Sequence, residues 1–199
     1  MVQAAGAVNR DQVKADLLAL ANEHIGKWEQ YADKEFTSNE YGFTYTSRQT
    51  ELNGITLTVS KATVPGLTLD MHRQFRSNLG TIMPKMDDKL KIVECPAVDG
   101  LRAIIQQIKM PMMMTNRSIP IVYYEQEGEN ETIFVGSSRD TEQLVADQAG
   151  VIKKDVVGNT VINFQKLTAA GDGVEFVGCM CTDIAGSVPD MIKRKGAEA

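Results

Sequence analysis

The residues best suited to orient a bound molecule lie on two stretches, 101–110 and 119–126. The first reads Leu-Arg-Ala-Ile-Ile-Gln-Gln-Ile-Lys-Met. Alternate side chains of an extended strand point to opposite faces. One face then carries Arg102, Ile104, Gln106, Ile108 and Met110, the other Leu101, Ala103, Ile105, Gln107 and Lys109. A small-molecule pocket needs such an apolar lining with a few polar groups to set orientation. The planar fork of Arg102 suits a phosphate or carboxylate. In the opposite register Arg102 is an ordinary surface residue. The second stretch sets Ile121, Tyr123 and Glu125 on one face. Tyr123 joins an apolar ring to a polar tip that can bond a headgroup or a hydroxyl. The competing reading is a core tyrosine bonded to backbone.

A third group is a methionine cluster. Four of the ten methionines, Met110, Met112, Met113 and Met114, crowd one loop just before Asn116 and Arg117. Thioether chains repack easily, which suits a gate over variable acyl chains. Core filling around Pro111 is the plainer alternative. Lys193, Arg194 and Lys195 could touch anionic lipid, or simply complement a helix C-terminus.

Catalytic chemistry is poorly supplied. His24 and His72 stand far apart, and no Ser/His/Asp or Cys/His order emerges. No glycine motif cradles phosphate. Cys95, Cys179 and Cys181 are odd in number and lack partners at ligand spacing, so neither a disulfide framework nor a metal site is expected. Cys179 and Cys181 share one face of a strand-like run and read as buried free thiols in a reducing cytosol. No cofactor is expected.

The chain has 199 residues, 43% apolar and 24% charged. That suits one folded domain spanning 1–199. A net charge of −5 without a basic face argues against nucleic acid as a partner. No apolar run reaches the roughly 20 residues of a membrane helix. Met1–Arg10 has no apolar secretory core. A cytoplasmic monomer is the expectation.

These groups need positioning elements. Asn9 and Gln12 have capping-box spacing, and Val13, Leu17, Leu20, His24, Ile25, Trp28 and Tyr31 form a helical stripe. Residues 42–47 and 55–60 alternate as strands, the second entered through Asn53-Gly54. Leu67–Asn78 reads as a short helix, and 83–89 as irregular around Pro84. Strands are predicted at 90–95, 101–110, 119–126, 132–138, 151–157, 160–166 and 174–182, with 141–148 a polar loop or short helix. Gly158-Asn159 is predicted as a hairpin turn, and a last helix near Ser187. This order is α+β, a long antiparallel meander that needs a helix over its apolar face.

Three segments resemble the START domains, the steroidogenic-acute-regulatory-protein-related lipid-transfer family. Pro111–Tyr124 resembles the family's loop and aromatic-rich strand, with Ser118 where Asp usually follows the arginine. Gly150-Val151-Ile152-Lys153 is similar to its Gly-Val-Ile-Arg. Thr182–Pro189 looks like its junction before the C-terminal helix. The resemblance implies a helix-grip fold: a curved antiparallel sheet wrapped around a long helix, enclosing a hydrophobic cavity for one lipid, phospholipid or sterol. It implies lipid transfer or sensing, transient contact with a membrane surface and no catalysis. Some sterol-binding relatives carry a buried carboxylate and arginine at places that look like Ile104 and Tyr123 here, so that ion pair is not expected. A helix-grip enzyme of the polyketide cyclase or dehydratase kind is the alternative. It would have to draw on Arg102, Tyr123 and Glu125.

Overall fold

A computed structural model describes residues 8–38, 43–111 and 114–185. Helix α1 (Arg10–Gly26) begins where the Asn9 side chain accepts a hydrogen bond from the Gln12 amide at 3.1 Å. The second half of the box does not form, because the Gln12 side chain bonds Asp16 instead. Val13, Leu17, Ala21 and His24 make its buried line. A 3-10 segment, Trp28–Lys34, leads into β1 (Glu35–Ser38), which β2 (Tyr45–Leu52) and β3 (Ile55–Pro65) extend. Asn53 and Gly54 both have positive φ, as the tight turn between β2 and β3 requires.

Helices α2 (Leu69–Ser77) and α3 (Leu79–Met86) follow, then β4 (Leu90–Val98), β5 (Leu101–Ile108), β6 (Arg117–Glu127) and β7 (Glu131–Ser137). Short helices α4 (Glu142–Asp147) and α5 (Ala149–Ile152) precede β8 (Val156–Val157), β9 (Asn159–Ala170) and β10 (Gly173–Asp183). The sheet runs β1-β2-β3-β10-β9-β7-β6-β5-β4, antiparallel throughout, with β8 parallel to β6. The fold class is α+β, as expected.

Both faces of the sheet are used. On one, α1 packs over Leu57, Val59, Tyr124, Val135, Ile162, Phe164, Cys179 and Cys181. Nearby on the same face, Leu144 of α4 meets Ala103 and Val122. On the other, Leu79 of α3 joins Ile92, Ile104, Ile119, Ile121 and Tyr123. There Leu69 of α2 also meets Leu167 and Val174. No helix among the described residues is long and apolar enough to cross a membrane.

Several local expectations need correction. Residues 151–157 are not a strand, and Gly158-Asn159 is not a hairpin turn: 149–152 are helical, and only Val156–Val157 extend, parallel to β6. Gly158 is needed for close approach instead. A Cβ there would lie 2.9 Å from both the Asp183 carbonyl and Ile119 Cγ1. Residues 83–86 are not irregular, because Pro84 is carried inside α3, whose Leu79 and Met83 pack on β4. β1 was not foreseen as a separate strand. Pro120 pairs with Ile105 of β5, but its carbonyl faces the other way, to the Ser138 hydroxyl, in the gap between the pairing with β8 that ends at Ser118 and the pairing with β7 that begins at Val122. No ladder there needs its missing N–H. The helix expected near Ser187, with Lys193, Arg194 and Lys195, lies outside the described residues.

Candidate functional site

Register decides which predicted residues meet. Arg102 pairs with Tyr123 and Ile104 with Ile121 across β5 and β6. Opposite residues of an antiparallel pair share a face. Arg102, Ile104, Gln106 and Ile108 therefore stand beside Ile121, Tyr123 and Glu125 on the face that carries α2 and α3. Ile104 and Ile121 are fully buried, while Gln106 and Ile108 are half-buried. Met110, just past β5, is also buried. Farther across this face, Asn163 and Gln165 of β9 lie half-buried near Gly136 and Phe134 of β7.

Arg102 is not a free cation. Its guanidinium bonds both carboxylate oxygens of Glu94 on β4, and its Nη1 lies 3.8 Å from Glu125. Tyr123 is buried, and its hydroxyl accepts a long bond of 3.4 Å from the Asn163 amide. It is a core tyrosine whose partner is a side chain, not backbone. Its ring lies flush on Gly136, where a Cβ would come within 2.6 Å of two ring carbons. Glu125 is at the rim and more exposed.

The cation that reaches deepest here was missed from the sequence. Arg76 of α2 is only 5% exposed. Its Cζ lies 4.4 Å from the ring centres of both Tyr123 and Phe134. Its Nη2 is 3.6 Å from Glu125 Oε1, an ion pair beyond hydrogen-bond length. Buried Nε and Nη2 have no acceptor. His72, one turn earlier, places its ring edge-on to Phe134, and its Nδ1 is buried without a partner. Burial, then the charges of Arg76 and Arg73, push its pKa down to about 4. A sequence signal existed: 69, 72, 76 and 79 follow helical spacing, and Arg76 falls on the stripe with Leu69 and Leu79, which are buried.

The loop after β5 is tied at both ends. Asn116, although exposed, accepts from the Met110 amide through Oδ1 at 3.1 Å. Arg117 is buried as the first residue of β6, and its guanidinium donates to the carbonyls of Thr115, Ile184 and Ala185. It thus fastens the loop to the end of β10. Met114 is half-buried. Met112 and Met113 lie outside the described residues.

The remaining chemistry is structural. Cys95, Cys179 and Cys181 are free thiols, and burial pushes Cys179 up to about 12 and Cys181 to about 11. His24 bonds the Tyr31 hydroxyl at 2.8 Å. Among the described residues no His, Cys, Asp or Glu cluster could hold a metal. A cleft on the α1 face, lined by Trp28, Arg48, Lys61 and Glu175, lies away from these groups. There Arg48 is already bonded to Glu29 and Glu35.

No protein-family model matches the chain, and no characterised protein matches it in sequence. Solved structures do match in shape. Human StAR-related lipid transfer protein 5 superposes with a TM-score of 0.62 at 13% identity, over 92% of this chain and 88% of that one. Human STARD10 gives 0.60 at 12% identity, over 98% and 76%. The STAR-related lipid transfer protein from Xanthomonas axonopodis gives 0.60 at 14%, over 83% and 90%. The chain therefore has the helix-grip fold of the START-related lipid-transfer domains.

Proposed function

We propose that this chain, as a single domain over 1–199, binds one lipid on the sheet face that carries α2 and α3, and carries or senses it without altering it. The observation that supports the reading is the likeness in fold, over most of the chain, to lipid-transfer proteins. The composition of the face agrees. Ile104, Ile121 and Met110 form its buried apolar floor, and Ile108 stays half-open to an acyl chain. Gln106, Tyr123, Glu125 and Arg102 are the polar groups set among them. Few, well-placed polar groups in an apolar lining are what orient a lipid headgroup. The gate is proposed on Met112, Met113, Met114, Asn116 and Arg117, the stretch that leads from β5 into β6. Transient docking on a membrane surface, as a cytoplasmic monomer, completes the picture.

Native mass spectrometry of the purified protein, followed by extraction of the bound molecule, tests this reading. One lipid class at one molecule per chain is the expected result. Labelled lipid should also pass between vesicles with its mass unchanged. A protein that takes up no phospholipid, sterol, diacylglycerol or fatty acid would overturn the proposal, and an altered lipid mass would point to an enzyme.

A further inference from the structure

Two arginines on α2 stand three residues apart and differ in how far they are bonded. Arg73 donates through Nη1 to Asp70 and through Nη2 to the Gly128 carbonyl and Thr132, and only its Nε is left unbonded, 3.4 Å from Glu127. Arg76 is buried over two aromatic rings, with Nε and Nη2 unbonded. Aromatic faces attract the cation but leave its in-plane N–H groups unanswered. Leaving charged donors buried and unpaired is costly, so native structures seldom do it without a use. Glu125 stands beyond bonding length, and Arg102 lies near the same carboxylate. It balances charge without occupying the fork. His72 Nδ1, also buried and unpartnered, lies one turn back on the same helix.

We infer that Arg76 is the anchor for an anionic group, a phosphate or a carboxylate, on the lipid this chain binds. Two in-plane oxygens fit the guanidinium fork, and His72 adds a neutral polar contact beside it. This inference rests on the lipid-binding reading and names the ligand class. It moves the anchor from Arg102, which Glu94 already occupies, to a helix residue beneath the loops.

The test uses the full chain and phosphatidylcholine vesicles doped with one of three probes carrying the same fluorescent acyl chain: phosphatidic acid, free fatty acid or diacylglycerol. The wild type should take up at least one anionic probe about ten- to hundred-fold more tightly than diacylglycerol, the range of one charge-assisted bond. The two anionic arms separate phosphate from carboxylate. Arg76→Met should erase that preference, keep diacylglycerol uptake within about two-fold and leave the melting temperature no lower, since an apolar residue replaces an unpaired buried charge. Arg76→Lys should recover only part of the preference, lacking the fork. Glu125→Gln should raise anionic affinity several-fold by removing the competing carboxylate. Equal uptake of all probes by the wild type, or an Arg76→Met protein with the wild-type preference, would overturn the anchor while leaving lipid binding intact. Uptake of none of the probes would overturn the lipid reading along with it. Should Arg76→Met fail to fold, Glu125→Gln decides, and no gain there would count against the anchor.

Discussion

Gly136 is the residue on which the placement of Tyr123 depends, and Gly136→Ala should expose that dependence. The two residues face each other across β6 and β7. The new Cβ would lie 2.6 Å from Tyr123 Cδ1 and Cε1 and 2.9 Å from Ile121 Cγ2. Carbon atoms sit comfortably at about 3.5–4.0 Å, so the ring must withdraw by roughly 1 Å. Tyr123 is buried and carries the Arg76 guanidinium on its ring, so little free space receives it. Overfilling of this kind costs about 1–3 kcal/mol. For a chain of this length that lowers the melting temperature by about 2–12 °C. Thermal melts followed by circular dichroism would measure it, together with the same change in a Tyr123→Ala background. In that background the two ring contacts are gone and only the Ile121 contact remains, so most of the cost should vanish and the two substitutions should couple by about 0.5–3 kcal/mol. A melting temperature unchanged within 1 °C, on the order of the smallest effect expected, or the same cost in both backgrounds, would refute the argument.

Three further outcomes are expected. His72, whose pKa falls from 6.5 to about 4 on folding, takes up its proton more readily when unfolded. Its contribution to stability is therefore complete above the unfolded value and is lost as pH falls from 6.5 towards 4. Urea midpoints should drop more steeply over that window for wild type than for His72→Leu, and parallel curves would refute this. At pH 8 a thiol reagent should find Cys179 and Cys181 inert in the folded protein, with at most Cys95 reacting. All three should react in denaturant, and fast modification of two thiols in the native state would contradict the burial found here. Leu17→Ala, in the centre of the α1 packing, should cost about 2–5 kcal/mol in chemical denaturation. A loss under 1 kcal/mol, far below the roughly 2 kcal/mol floor for such a truncation, would mean that α1 is not part of the cooperative core.

Much of the architecture was legible because local rules governed it. The α1 stripe, the Asn53-Gly54 turn and the alternation of β5 and β6 depend on neighbours within a few residues. Short-range patterns report such neighbours well. Period two alone grouped Arg102 with Ile104 and Ile121 with Tyr123, and the β5–β6 register then put the two groups on one face. Where the expectation failed, a distant contact had overridden a local signal. Gly158 looks like a turn residue and is in fact a contact with Asp183 and Ile119. Pro84 looks like a helix breaker, yet Leu79 and Met83 hold α3 against β4.

The sequence by itself determined the fold class, most of the antiparallel strands and which side chains alternate together within β5 and within β6, because side-chain alternation and turn chemistry are written in adjacent residues. Only the tertiary structure decided which cation is satisfied and which is not. Arg102 is neutralised by Glu94 through the β4–β5 register, and both terminal nitrogens of Arg73 are bonded, to Asp70 and to the loop after β6. Arg76 is left over Tyr123 and Phe134 without an acceptor. Hydrogen-bond satisfaction depends on groups that meet only when α2 is laid across the sheet, about fifty residues away in the chain, and local spacing does not encode that meeting.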